Sequence, residues 1–359
     1  MTTIAHPVLR PLRQGEILDR AIRLYRRHFL QFVAMLAIVQ VPLILLQMLI
    51  SLLAFSSSFD QLFTLLENPT AVPDEPLFGP AYLAGSSLQV AVFFVNLVLV
   101  RGIAAGALTT AVTASYLGEG VPGILGAYRR IRRHWASLGG AVLLALALSV
   151  VIVLWWLFVP CAGWLTGGGM LLYLWAVIVP LLAPLIVLEE QPAASAWRRA
   201  WELTRRRFWW VLAFAGILYV FNLLVVAGPA AVLGASGQLL LGDPANPTAS
   251  SFALQTVVSS LTTLVTSLLY LPLQAAAITL LFLDLRVTTE GLDLSLQINR
   301  DRQPLETLAR TAPAGAGEPL VRSSDLGQFA LITVGIVTLY AVLAGALFGL
   351  IALLAAAAT

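Results

Sequence analysis

Long apolar runs alternate with short arginine-rich stretches along this chain, and the alternation predicts its elements. Between Ala196 and Trp210, the residues Trp197, Ala200, Trp201, Thr204 and Phe208 recur at helical spacing and form one mostly apolar face. Arg198, Arg199, Glu202, Arg205 and Arg206 fill the other, and beyond Arg207 no charge appears before Asp243. Such a segment reads as an amphipathic helix in the membrane interface that turns into a spanning helix. We term this unit an elbow and place it at 192–208. A second elbow is expected at 13–29, with Leu18, Ala21, Ile22, Tyr25 and Phe29 opposite Glu16, Asp19, Arg20, Arg23 and Arg27. A third lies at 122–135, where Ile124, Tyr128, Ile131 and Trp135 make a stripe and Arg129, Arg130 and Arg133 lie off it.

The apolar runs exceed the roughly 20 helical residues that cross a hydrocarbon core of about 30 Å. Seven spans are expected: 28–55, kinked at Pro42; 83–117, overlong and interrupted by Arg101-Gly102; 136–159; 170–188, bent by Pro180 and Pro184; 209–233; 252–283, interrupted by Pro272; and 326–357. Cys161 and the run Gly167-Gly168-Gly169 read as the turn of a tight hairpin between the third and fourth spans. Gly345 and Gly349 are spaced as a small-residue packing face on the seventh. The expected fold class is an all-α membrane protein of about seven transmembrane helices, with three elbow-plus-hairpin units and an added C-terminal helix. The expected domains are a six-helix membrane domain over 1–298, a linker rich in Ala, Pro and Gly over 299–325, and the C-terminal helix over 326–359.

The elbows echo one another. Tyr25-Arg-Arg-His-Phe29 is similar to Arg132-Arg-His-Trp135 and to Arg206-Arg-Phe-Trp209, and Tyr128-Arg-Arg130 to Trp197-Arg-Arg199. Upstream, Glu119-Gly-Val-Pro122 matches Glu190-Gln-Pro192. An internal repeat is expected, as in repeat-built transporters.

Composition agrees with this reading. The hydrophobic fraction is 59% and the charged fraction 11%, against about 25% charged in soluble domains; the mean hydropathy is +0.89. All 21 basic residues are Arg, which suggests a bacterial source rich in GC. The loops 56–82, 160–169 and 234–251 contain no Arg, whereas six precede the first span and four, five and five follow spans two, four and six. Retention of basic residues on the cytoplasmic side predicts N-terminus in and C-terminus out, in the plasma membrane. The first apolar run is too long for a signal peptide, so none is expected. One cysteine, Cys161, leaves no intrachain disulfide, and His6, His28 and His134 are scattered, so no metal site is expected. No nucleotide-binding loop or other cofactor motif occurs, and Arg runs that abut spans do not form a nucleic-acid patch.

Three stretches, Arg10–Phe29, Ala196–Trp210 and Leu271–Asp293, carry a resemblance. The most specific is the last, with its Asp284-Leu-Arg286 and Glu290-Gly-Leu-Asp293. Together they resemble bacterial multipass proteins of the glycerophosphoryl diester phosphodiesterase membrane domain family, over about residues 10–296. The resemblance implies a membrane part that some members carry fused to a phosphodiesterase barrel and that many carry alone. Here about 60 residues follow position 296, where a barrel needs about 250, and no clustered His, Glu and Asp mark a phosphodiester site. No enzyme activity is expected.

The candidate intramembrane polar site is Arg101 with Asn96 and Asn222, because a charge inside a span is a functional hypothesis by default. Otherwise Arg101 snorkels or pairs with Glu119, Glu190 or Asp284. Gln89, Gln255, Gln274, Thr262, Thr263 and Thr266 are polar positions in the spans, suited to interhelical hydrogen bonds. Asp284 and Arg286, at the end of the sixth span, are expected as a local charge pair. Candidate contacts to anionic lipid headgroups are Arg26, Arg27, Arg129, Arg130, Arg132, Arg133, Arg198, Arg199, Arg205 and Arg206. The expected function is a non-catalytic membrane module that meets lipid or a separately encoded partner protein. The alternative is a transporter or flippase of a small or lipid-derived solute. The spans hold no paired carboxylates and no Ser/His or His/Glu arrangement at helical spacing, so an intramembrane enzyme is the weakest reading.

Overall fold

A computed structural model describes residues 11–67, 79–118, 120–232, 249–291 and 322–357. His6, Asp74, Glu75, Glu119, Asp243 and nearly all of the expected linker lie outside these residues. The described elements are helical. In order they are α1 (Gln14–Arg27), α2 (Phe29–Glu67), α3 (Pro80–Val98), α4 (Ala105–Tyr116), α5 (Ile124–Ile131), α6 (Trp135–Phe158), α7 (Ala162–Tyr173), α8 (Val179–Leu188), α9 (Ala193–Arg205), α10 (Phe208–Asn222), α11 (Ala249–Glu290) and α12 (Ser323–Ala357). Among the described residues, seven helical stretches are long and apolar enough to span a membrane. The chain is a multipass membrane protein.

The spans depart from straight α-helix where the sequence is interrupted. Wide π-helical turns occupy Leu99–Ala104, between α3 and α4, Leu174–Ile178, before α8, and Leu223–Ala227, after α10. The first contains Arg101-Gly102, so the overlong second span is relieved there by a π turn. Gly102 suits the close approach at that point: an added Cβ would stand 3.2 Å from the Leu138 carbonyl oxygen of α6, a tight contact. Pro42, Pro184 and Pro272 sit inside α2, α8 and α11.

Three short helices occupy the elbow positions, and each breaks just before an aromatic residue that opens a span. His28 separates α1 from α2, a 3₁₀ turn over Arg132–His134 separates α5 from α6, and Arg206–Arg207 separates α9 from α10. The spans then open on Phe29, Trp135 and Phe208. The buried stripe of α1 is Ile17, Ala21 and Tyr25, one position away from the expected Leu18 and Ile22, which are half-buried. In α9 the buried residues are Ala196, Ala200, Leu203 and Thr204.

The chain forms two compact units, residues 1–142 with 180–312 and residues 143–179 with 313–359. In the larger, the interior is built from Leu181–Ile186 of α8 and Ala276–Phe282 of α11. Large apolar side chains such as Leu30, Leu53 and Leu125 face outward, as bilayer contact requires.

In the smaller unit, the α6–α7 turn falls at Val159–Cys161, with Cys161 at a φ of 61°. The run Gly167-Gly168-Gly169 is therefore helix α7 and not the expected turn. Its glycines serve contact instead. A Cβ on Gly169 would stand 2.1 Å from the Phe329 carbonyl oxygen of α12, and one on Gly163 would stand 2.3 Å from the Trp155 carbonyl oxygen of α6. The Gly169 N–H donates to Thr333 Oγ1 at 2.8 Å, and Tyr173 meets Phe329 edge to face. Around Gly345 and Gly349 nothing lies within 4 Å of an added Cβ. The close packing of α12 thus rests on glycines of its partner, α7, where the two backbones approach.

Candidate functional site

Each elbow hangs one aromatic donor on a backbone carbonyl of a distant span. Tyr128 Oη donates to the Met35 carbonyl at 2.7 Å, and Trp197 Nε1 donates to the Ala141 carbonyl at 3.1 Å. Met35 stands six residues after Phe29, where α2 begins, and Ala141 six residues after Trp135, where α6 begins. The α5 and α9 elbows therefore grip equivalent points on the first span of the preceding unit. The α1 elbow closes the series: Gln14 Nε2 donates to the Trp210 carbonyl in α10 at 2.9 Å, and Tyr25 Oη donates to the Leu269 carbonyl at 2.9 Å. Leu269 lies three residues before Pro272, where a proline loosens the carbonyl ladder and frees acceptors. Tyr25, Tyr128 and Trp197 each precede an Arg pair, so the three belong to one aromatic-Arg-Arg pattern. Loss of water around the Tyr25 hydroxyl pushes its pKa up to about 12.

Where α8, α9 and α11 meet, the elbow charges turn inward. The Glu189 side chain is fully buried; its Oε1 forms an ion pair with Arg286 Nε at 3.3 Å, and its Oε2 accepts a hydrogen bond from Arg199 Nε at 3.3 Å. Glu290 completes the cage, bound to Arg199 and, at 3.2 Å, to Arg286. Burial pushes the Glu189 carboxyl above the ordinary carboxylate range, more than Arg286 and Arg199 pull it down. The folded protein therefore binds this proton more tightly than the unfolded chain. The stability it contributes is complete below the ordinary glutamate pKa of about 4.3 and is lost as pH rises through the raised value. Glu189→Gln is expected to remove that decline, so that the wild-type-minus-variant Tm difference in a detergent titration falls as pH rises above about 4.3.

Asp284 and Arg286 do not pair with each other. Two positions apart on a helix, they point to different faces. The buried Asp284 accepts the Leu12 N–H at 2.7 Å on Oδ1 and faces Arg207 at 3.8 Å on Oδ2. Arg207 also lies over the Trp210 ring, 4.5 Å from its centroid, and donates to Thr288 Oγ1 at 3.3 Å. Asp284 thus ties the segment before α1 to α11 and to the break between α9 and α10. Glu190, at a φ of 54°, sends its carboxylate the other way, to Arg133 after α5.

Of the expected headgroup contacts, Arg26, Arg27, Arg129, Arg130, Arg132 and Arg206 are exposed. Arg198 is exposed and paired with Glu202 at 2.9 Å. Arg205 is half-buried. Arg133 is also exposed and holds Glu190. Arg199 is different: its side chain keeps 12% exposure and sits between Glu189 and Glu290. Its place on the polar face of α9 looks solvated in one dimension, but in three the α8 and α11 carboxylates cover it.

Arg101 sits on the Leu99–Ala104 π turn. Its Nη1 donates to Gln274 Oε1 of α11 at 3.2 Å, and among the described residues no carboxylate lies within ion-pair distance. Glu190 and Asp284, two of its expected partners, are held by other groups, and Glu119 lies outside the described residues. A cavity of about 40 Å³ adjoins it, lined by Arg101, Thr109, Gln274 and Thr279 together with Pro180 and Pro184. Asn96 and Asn222 are half-buried and do not line this cavity. The structure therefore joins Arg101 to Gln274 and not to the two asparagines.

No curated protein and no solved structure matches this chain. The matched stretch covers α7 to α11, including the charge cage and the α9 elbow, but not Arg10–Phe29. Over residues 162–312 the chain is similar to the family described as the membrane domain of glycerophosphoryl diester phosphodiesterase, whose model matches that stretch.

Proposed function

We propose that this chain is a non-catalytic membrane module whose elbow arginines hold anionic lipid headgroups and leave a basic face for a separately encoded partner. The observation that carries this reading is the division of the arginines. Arg199 and Arg286 are spent on internal carboxylates, while Arg26, Arg27, Arg129, Arg130 and Arg132 remain exposed beside the breaks where spans begin. A basic residue at an anionic surface contributes about 1 kcal/mol. On this reading the elbows lie on the cytoplasmic side of a bacterial plasma membrane, N-terminus in and C-terminus out, which the arginine distribution supports.

Replacing Arg129, Arg130 and Arg132 together with Gln is expected to lower retention of phosphatidylglycerol at least about tenfold. Native mass spectrometry of the purified chain reads this, with phosphatidylcholine retention unchanged. Equal loss of both lipids, or of neither, would sink the reading. The alternative, a transporter or flippase, draws on the Arg101 cavity. At about 40 Å³ that cavity is far below the 300–1,000 Å³ of small-molecule sites, which favours the module.

A further inference from the structure

The Arg101 cavity has a chemical character that neither the elbows nor the family match explains. A guanidinium carries five N–H donors and no acceptor, and Arg101 directs one nitrogen to Gln274 Oε1. With its oxygen engaged, the Gln274 amide offers its two N–H donors to its surroundings. The Thr109 and Thr279 hydroxyls donate to the Ala105 and Ala275 carbonyls in their own helices. A cation in an apolar interior needs an opposite charge or full hydrogen bonding. The carboxylates Glu190, Glu189 and Asp284 serve Arg133, Arg199, Arg286 and Arg207 instead. What remains is a small, mostly apolar hollow with Arg101 and Gln274 as its donors, walled by Leu36, Val100 and Ile278.

We infer that this hollow is an anion site for a phosphate oxyanion, held by the Arg101 guanidinium and the Gln274 amide. One water needs about 10–15 Å³ of such space, so about 40 Å³ accommodates about three water-sized atoms, the reach of the oxygens of one phosphate group. The planar guanidinium fork matches two of those oxygens at once. Arg101 keeps partial exposure, so its guanidinium is not wholly sealed by the surrounding helices. The π turn aids this by placing Arg101 off the regular helical ladder, as such turns do at ligand sites. The site is separate from the elbows and stands even where the elbows retain no lipid.

The test uses the full-length chain purified in detergent, with Tm followed against added inorganic phosphate, against chloride at matched ionic strength, and against micelles doped with phosphatidic acid. Protection by inorganic phosphate beyond that by chloride assigns the site to the free ion. Protection by phosphatidic acid alone assigns it to a lipid headgroup. In either arm, Arg101→Gln is expected to raise the half-saturating concentration at least about tenfold. Ala105→Leu fills the cavity without touching the charge and is expected to do the same, which keeps the test decisive if Arg101→Gln fails to fold. No protection in any arm, or protection that survives Ala105→Leu, overturns the proposal and leaves the hollow to water.

Discussion

Arg286→Leu is expected to destabilise the folded chain by about 3–5 kcal/mol, the cost of stripping a buried charge cluster of one partner. Arg286 keeps 2% side-chain exposure and contacts Glu189 and Glu290. Its removal leaves two carboxylates to the single guanidinium of Arg199, with Glu189 wholly buried. The loss is read as a fall in Tm and in the yield of monodisperse protein in mild detergent. A double variant, Arg286→Leu with Glu189→Leu, leaves Arg199 and Glu290 as a matched pair and is expected to lie closer to wild type than Arg286→Leu alone. That ordering separates an electrostatic cause from lost packing against Phe282, whose ring centroid is 6.0 Å from the guanidinium. A single variant within about 1 kcal/mol of wild type would show that the cage is solvated.

The second large effect belongs to Gly169→Ala. A methyl group there meets the Phe329 carbonyl oxygen at 2.1 Å and its carbon at 2.9 Å, and backbone atoms cannot rotate away. Overpacking of this kind costs about 1–3 kcal/mol. Withdrawal of α12 adds the loss of the Gly169–Thr333 hydrogen bond, about 1 kcal/mol. Thr333 is buried, so a Thr333→Cys probe in a Cys161→Ser background is expected to resist thiol labelling until Gly169→Ala is added. Gly345→Ala is the control. With open space around it, it is expected to leave labelling unchanged, and equal labelling in both variants would remove the glycine contact as the cause.

Much of the fold was legible before any coordinates, for a physical reason. A bilayer makes local demands: about 20 apolar residues per span, aromatic and Arg residues at its edges, polar interruptions paid for individually. The seven spans, the three elbows and the odd behaviour around Arg101-Gly102 all follow from runs and periods read along one strand of sequence. The same local view misread the Gly167–Gly169 run. Glycine signals a turn in water, whereas between apolar helices it signals two backbones in contact. Pro160-Cys161, the true turn, carried the better signal.

The candidate site was legible in its residue types and not in its pairings. Arg199 and Arg198 are neighbours on α9 with the same charge, yet one is caged and the other faces out. The difference is made by Glu189 and Glu290, the latter 91 positions along the chain. Tyr25, Tyr128 and Trp197 were visible as interfacial aromatics, and their shared place before an Arg pair was a signal of equivalence. That each reaches a carbonyl of another unit, with the α1 elbow gripping α10 and α11, was not.

By itself, then, the sequence determined a multipass helical protein with basic, aromatic elbows at three span entrances, because hydrophobic length and charge placement are one-dimensional properties. Only the tertiary structure decided which arginines are caged and which are exposed, which glycines bring backbones together, and that Arg101 meets Gln274 beside a small cavity. Those outcomes depend on distances between segments far apart in the chain. In a low-dielectric interior, a few ångströms separate a caged ion from one with no carboxylate in reach.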